Sequence, residues 1–170
     1  MDIKFTIRNE KPDDIVSISD VTEKAFKALE ISEHTEQFVI NALRDAGALT
    51  ISLVAQVNGV VIGHIAFSPV TMSDGTTDWY GLGPVSVLPD HQRQGVGKAL
   101  IEEGLSRLHD INAKGCCVIG HPEYYKKFGF KNTNDLVYKG VPQEFLFILV
   151  FEGSTPRGKV IFHDAFKATG

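Results

Sequence analysis

The sequence predicts a mixed α/β fold, in which helices cover the faces of one β-sheet. Short runs of alternating or continuous apolar residues, typical of strands, are interspersed with amphipathic segments of helical period. The chain has 170 residues, 43% of them apolar and 22% charged, which suits a single hydrophobic core. Neither a repeat nor a low-complexity linker divides the sequence, so we expect one domain over residues 1–170.

The N-terminal half is predicted to form a strand, two helices and a hairpin. Alternation of apolar and polar residues over 3–8 predicts the first strand. Apolar residues at helical spacing predict one amphipathic helix within residues 9–29 and a second within residues 34–47. The pair Asn58-Gly59, flanked by β-branched runs, is typical of the tight turn of a β-hairpin.

The C-terminal half is predicted to combine four strands with two helices. The strands are expected at 78–89, 116–120, 144–153 and 158–166, and the helices from Gly95 to about His109 and over 123–128. The longer helix has an apolar face that includes Leu100 and Leu108. The last two strands are expected to pair with each other as an antiparallel hairpin, through a turn between Gly153 and Gly158.

Charge and composition exclude several classes of protein. The formal net charge is -4 and the pI about 5.8, whereas proteins that mainly bind nucleic acid are usually basic, so we expect no nucleic-acid partner. Without a leader-like N-terminus or an apolar run of ~18 residues, a soluble cytoplasmic protein with no membrane partner is expected. The neighbouring Cys116 and Cys117 favour buried reduced thiols and no metal site.

The segment 87–108 places two glycines where a helix begins. Gly95 and Gly97 cost helix stability unless another molecule must come close to the backbone. Free N–H groups at a helix N-terminus point outward, and the helix dipole favours negative charge there. Arg93 and Lys98 add positive charge. The pattern therefore predicts a phosphate-binding turn between a strand and a helix.

Two common phosphate-binding patterns fail on specific residues. A mononucleotide P-loop, G-x-x-x-x-G-K-[ST], has Gln92 here in place of its first glycine and Ala99 in place of its hydroxyl residue. A dinucleotide fingerprint, G-x-G-x-x-G, has Leu100 in place of its third glycine, and the turn lies in the middle of the chain. These departures speak against a nucleotide-binding protein of another class.

Two strings resemble motifs of a known superfamily. LGPVSVLPDHQRQGVGKALI, residues 82–101, contains the pattern Q/R-x-x-G-x-G/A after a predicted strand. It resembles the GNAT superfamily of acyl-CoA-dependent N-acyltransferases, and most of all its YhbS-like branch. GHPEYYKKFGF, residues 120–130, resembles the last motif of that superfamily. The resemblance covers roughly residues 50–130 and implies a single-domain GNAT fold with a central, mostly antiparallel, twisted sheet flanked by helices.

The resemblance also implies a cosubstrate and the residues that bind it. In the superfamily this turn binds the pyrophosphate of coenzyme A, so acetyl-CoA is the expected cosubstrate. The backbones of Val85 and Val87 are expected to pair with the pantetheine arm like an added strand. Pro84 fits a break at which that strand diverges from its neighbour, although an ordinary bulge would explain it too. The expected cofactor-binding residues are Val85, Ser86, Val87, Gln92, Arg93, Gln94, Gly95, Val96, Gly97, Lys98, Tyr124 and Phe128.

The chemistry implied is direct transfer of an acetyl group to a primary amine in a ternary complex. Tyr125 occupies the tyrosine position of the last motif and is the expected general acid for the departing thiolate. Its alternative role is a packing residue whose hydroxyl binds sulfur. A backbone N–H near Val87 is expected to polarise the carbonyl. No base is assigned, because each candidate is explained as well by a structural or surface role: Glu33, His34, Glu36, His64 and Glu123.

The acceptor and a second function stay open at this point. Small amines, antibiotics, amino acids, and protein lysines or N-termini are all compatible with the sequence, as is a homodimer. A module that binds acyl-CoA as a sensor and transfers nothing is the main alternative to an enzyme. The presence of Tyr125 favours the enzyme.

Overall fold

A computed structural model describes residues 4–30 and 32–170. Its strands are β1 (Thr6–Asn9), β2 (Ile51–Val57), β3 (Val60–Met72), β4 (Trp79–Val87), β5 (Gly115–Ile119), β6 (Leu136–Val137), β7 (Leu146–Val150) and β8 (Gly158–Phe162). Its α-helices are α1 (Ile15–Lys27), α2 (Glu36–Asp45), α3 (Val96–Asp110) and α4 (Pro122–Tyr125). The predicted mixed α/β class is confirmed. Ile3, the first residue of the predicted first strand, lies outside the described residues.

The sheet is mostly antiparallel. Its main path runs β1-β2-β3-β4-β5-β7, and the β4–β5 pair is the parallel one on that path. The β2–β3 hairpin turns at Asn58 and Gly59, whose φ angles of 49° and 80° match the tight turn predicted from the sequence. α3 packs on one face of the sheet, through residues that include Leu100 and Leu108, and α1 and α2 pack on the other.

The predicted C-terminal hairpin is wrong. β7 pairs with β5, whereas β8 pairs antiparallel with Val70–Met72 of β3 and parallel with β6, a two-residue strand that the sequence pattern did not indicate. The reason is the length of β3, which continues beyond its pairing with β4 and would otherwise leave an open edge. Pairing with β8 covers that edge and buries Met72 against Val160.

β4 and β5 pair for three residues and then diverge. Trp79–Gly81 pairs with Gly115–Cys117, and from Leu82 onward β4 pairs with β3 alone. The register between β3 and β4 shifts at this point, so that Gly83 and Pro84 together form a bulge. The structure thus contains both the break and the bulge that the sequence left as alternatives. We call the space beyond the divergence the β4–β5 gap.

The two cysteines lie in β5 and are fully buried as free thiols. Burial raises the pKa of both, that of Cys117 to about 12, so neither is a reactive thiolate at neutral pH. Over residues 4–30 and 32–170, none of the helices has the length and apolar character needed to cross a membrane.

Candidate functional site

The edge of β4 presents backbone groups to the β4–β5 gap. The Leu88 N–H donates to the Ile62 carbonyl at 2.8 Å, directly opposite in the β3–β4 register. Since hydrogen-bonded and non-hydrogen-bonded pairs alternate in an antiparallel ladder, the backbone groups of Val85 and Val87 point away from β3. The Gln92 side-chain amide donates to the Val87 carbonyl at 3.1 Å, which agrees with that direction.

The turn that follows β4 brings several backbone N–H groups close together. Arg93 and Gly95 both adopt left-handed conformations, with φ of 63° and 85°. A backbone folded in this way forms a concave nest of N–H donors. Gly95 is the N-cap of α3 and no side chain caps that helix, so the first N–H groups, from Val96 to Lys98, have no intrahelical acceptor. The turn is therefore suited to an anion.

Gly97 keeps the approach to this turn open. A Cβ atom at Gly97 would lie 3.2 Å from the Tyr124 hydroxyl oxygen and 3.8 Å from a Val87 methyl carbon. The Tyr124 hydroxyl thus lies over the start of α3. The sequence placed Tyr124 in the last motif, and the fold brings it to the turn because α4 follows β5 across the gap.

A cavity of about 520 Å³ joins the β4 edge to this turn, and we call it the first cavity. It is lined by Val85, Ser86, Val87, His91, Gln92, Arg93, Gly95, Val96, Gly97, Lys98, Tyr124 and Lys127. Arg93, Lys98 and Lys127 supply positive charge, and no carboxylate is among the described residues that line it. The electrostatics of the first cavity therefore favour an anionic ligand.

Most of the predicted cofactor-binding residues line the first cavity, but two do not. Gln94 is exposed on the turn, and Phe128 packs edge-on against Tyr124 with ring centroids 5.6 Å apart. Lys127 lines the cavity and was missed by the sequence analysis. Its spacing of three residues from Tyr124 was the available signal, and its ammonium lies 5.3 Å from the Tyr124 ring centroid.

Tyr125 lies beside the gap rather than in the first cavity. Its ring packs edge-on between Tyr124 and Phe130 and leaves 8% of the residue exposed. Gly120, directly after β5, makes this possible because any side chain there would collide with the Tyr125 ring. Burial, with smaller effects of Tyr124 and Cys116, raises the pKa of Tyr125 to about 12. The phenol is therefore protonated at neutral pH.

His64 belongs to a chain of polar side chains that links β3 to β2, on the side of β3 away from β4. Its Nε2 lies 2.7 Å from the Ser52 hydroxyl, which donates to the carboxylate of Glu10, and Arg44 pairs with that carboxylate at 2.8 Å. Desolvation lowers the pKa of His64 to about 4, so the imidazole is neutral near pH 7. His64 does not line the first cavity. A structural role explains it better than a role as a base.

A second cavity, of about 420 Å³, lies next to the first along β4. Leu82, Gly83 and Pro84 line it, and the next residue of β4, Val85, lines the first cavity. Its remaining lining residues come from α1, α2, the connection between them, the end of β5 and the C-terminal region: Phe26, Ser32, Glu33, Thr35, Glu36, Val39, Ile119, Tyr138, Phe162 and Phe166. Its charged groups are carboxylates, so the two cavities have opposite electrostatic character.

The chain resembles GNAT acetyltransferases in sequence and in fold. A family model described as an acetyltransferase (GNAT) domain matches residues 49–132. The uncharacterized N-acetyltransferase YhbS of Escherichia coli strain K12 is 33% identical over 126 residues, which is 74% of this chain and 72% of the relative. The crystal structure of a GNAT family acetyltransferase from Brucella melitensis in complex with acetyl-CoA is 44% identical and has a TM-score of 0.87, covering 96% of this chain and 98% of that one. Escherichia coli YhbS in complex with CoA is 28% identical over 100% of this chain and 96% of that one, with a TM-score of 0.89.

Proposed function

Because this chain belongs to the GNAT family of acetyltransferases, we propose that it transfers the acetyl group of acetyl-CoA to a primary amine by direct attack in a ternary complex. The observation that carries this proposal is the first cavity. It combines an uncapped helix N-terminus, two glycines and three basic side chains with an open strand edge. The helix N-terminus and the basic side chains suit a diphosphate, and the open strand edge suits an extended arm that contains amide groups.

The residues of the first cavity fit each part of such a cosubstrate. The N–H groups at the start of α3 would hold the diphosphate, with Arg93 and Lys98 adding charge. The arm would lie along β4 and pair with the backbone groups of Val85 and Val87. The two similar proteins from Brucella melitensis and Escherichia coli were crystallised with acetyl-CoA and with CoA, which supports this assignment.

The thioester would then lie in the β4–β5 gap, between the β4 edge and Tyr125. The amine nitrogen attacks the carbonyl carbon, the C–S bond breaks, and the new amide loses its extra proton to solvent. The backbone N–H near Val87 that would stabilise the developing oxyanion is then that of Val85, because the Val87 N–H lies nearer the diphosphate and pairs with the arm. This arrangement needs no covalent intermediate on the protein.

Tyr125 is the proposed general acid for the departing thiolate. The pKa of Tyr125, about 12, lies above the value near 8.5 that is ordinary for a thiol, so full proton transfer to the sulfur is uphill. The larger part of its contribution is then a hydrogen bond that strengthens as negative charge develops on the sulfur. Its buried position makes that bond stronger than it would be in water.

An amine library tests the proposal when combined with calorimetry. We expect acetyl-CoA to bind in a saturable manner and thiol to be released at a rate that depends on the added amine, with the amide detected by mass spectrometry. Binding without release for every amine would instead support the sensor alternative. A lack of binding at millimolar acetyl-CoA would overturn both functions.

A further inference from the structure

The second cavity opens onto the same gap as the first. Its β4 residues, Leu82 to Pro84, occupy the bulge at which β4 leaves β5, and Ile119 lines it from the end of β5. A molecule in the second cavity would therefore reach the thioester that the proposed function places beside Val85. The inference below rests on that function for the position of the acetyl group.

Four aromatic side chains contribute to the walls of the second cavity. Tyr138, Phe162 and Phe166 form a chain of edge-to-face contacts, with ring centroids 5.1 Å apart in each pair. Phe162 belongs to β8 and is held by the pairing of that strand with β3. Phe26 contributes a fourth ring from α1. Rings fixed in this way provide a preformed surface for an aromatic or alkyl group.

The charge of the second cavity is negative. Glu33 and Glu36 line it, and neither lysine, arginine nor histidine is among its described lining residues. Glu36 is half-buried at the start of α2, where the helix dipole stabilises a carboxylate. Both of its oxygens lie within hydrogen-bond distance of the Ser32 hydroxyl, at 2.6 and 2.9 Å. A cation is favoured here, whereas an anion is favoured in the first cavity.

We propose that the second cavity selects primary amines attached to an uncharged apolar body, such as an arylalkylamine. The ammonium group would pair with Glu36, with Glu33 adding to the negative potential, and the apolar body would lie against the aromatic walls. The ammonium first loses a proton to solvent. The neutral nitrogen then attacks the acetyl carbon, and the C–S bond breaks to release CoA. The product is a neutral amide, which has lost the charge that held the substrate.

The same groups disfavour two other acceptor classes. The carboxylate of a free amino acid would meet Glu33 and Glu36 with no described cationic side chain in the cavity to pair with it. A polyamine or a polyhydroxylated amine would place polar groups against the rings of Phe26, Phe162 and Phe166, which offer no hydrogen-bond partner.

The test is amine binding to the protein saturated with CoA, measured by NMR titration or calorimetry. The probes are 2-phenylethylamine, phenylalanine, which differs from it by the carboxylate, and spermidine. We expect 2-phenylethylamine to bind at least about tenfold more tightly than the other two. Glu36→Gln should weaken its binding about tenfold while the affinity for CoA stays unchanged, and the thermal midpoint should fall by no more than about 4 °C, from the lost interaction with the helix dipole. Glu23→Gln, at an exposed position of α1 outside both cavities, is the matched control and should change nothing.

Equal or tighter binding of phenylalanine or spermidine would overturn the inference, as would unchanged binding of 2-phenylethylamine to the Glu36→Gln protein. Thiol release from acetyl-CoA in the same preparations tests the proposed function separately. Release with spermidine alone would keep that function and reject the selectivity. Tight binding of 2-phenylethylamine without release by any amine would keep the selectivity and reject the transfer.

Discussion

Tyr124 and Tyr125 are neighbours in the sequence, but the structure gives their hydroxyl groups different surroundings. The Tyr124 hydroxyl lies over the start of α3, 3.2 Å from the position of a Cβ at Gly97. The Tyr125 ring is buried against Phe130 beside the β4–β5 gap. Replacing either tyrosine with phenylalanine removes one hydroxyl and keeps the ring packing. We therefore predict that the two variants affect different kinetic quantities.

The magnitudes follow from the type of hydrogen bond that each hydroxyl would make. A bond from Tyr125 to a developing thiolate is charge-assisted, worth about 1.5–3 kcal/mol, so Tyr125→Phe should lower kcat about 10- to 100-fold. The Kd of the Tyr125→Phe protein for CoA should stay within about twofold of the wild-type value. A neutral bond from Tyr124 to the cosubstrate is worth about 0.5–1.5 kcal/mol, so Tyr124→Phe should raise the Kd for CoA about two- to tenfold and leave kcat nearly unchanged.

Initial rates of thiol release at saturating acetyl-CoA give kcat, and calorimetry gives the Kd for CoA. Tyr80→Phe is the matched control, because Tyr80 lies in β4 and lines neither of the two cavities. A Tyr125→Phe protein with the kcat of the wild type would refute the assigned role. An exchange of effects, with kcat lowered by Tyr124→Phe instead, would move the acid to Tyr124.

Three further predictions address the buried histidine and the turn. His64 has a pKa of about 4 when folded and near 6.5 when unfolded, so the unfolding free energy should fall by about 1 kcal/mol from pH 7 to pH 5.5. Urea titrations of His64→Gln should lack that part of the loss, and identical pH slopes would contradict it. Gly95→Ala forces a side chain into a left-handed conformation and should cost about 1 kcal/mol of stability while weakening CoA binding. Ala99→Gly, in the first turn of the same helix, is the control: it should cost about 1 kcal/mol of stability and leave the Kd for CoA within about twofold of the wild-type value. Equal losses of CoA affinity in the Gly95→Ala and Ala99→Gly proteins would argue against a direct role of the turn. Lys98→Met should weaken CoA binding more at low salt than at high salt, whereas Lys24→Met on α1 should have no effect on calorimetric titrations at either.

The turn and its surroundings could be predicted because their signals are local. Gly95 is required by a left-handed backbone conformation in the turn between β4 and α3, and Asn58-Gly59 specifies a tight turn between adjacent strands. The helix that follows Gly95 has its apolar residues at the spacing that one buried face demands. Each of these features depends on residues close together in the sequence.

The pairing of β8 and the second cavity could not be predicted, because both depend on residues far apart in the sequence. β8 pairs with β3 only because β3 is longer than β4 can cover, and strand length does not specify a partner. The aromatic wall joins Phe26 from α1 with Phe162 from β8. No local pattern marks those residues as neighbours. Similarly, the burial of Tyr125 depends on Gly120 having no side chain.

The most direct test of the central claim is a crystal structure of the protein with CoA. We predict that diphosphate oxygens lie within hydrogen-bond distance, about 3 Å, of the backbone nitrogens at the start of α3, beginning with Val96 and Gly97. The extended arm should lie against the edge of β4 at Val85 and Val87. A diphosphate bound away from this turn, or a side chain filling the space over Gly97, would contradict the account.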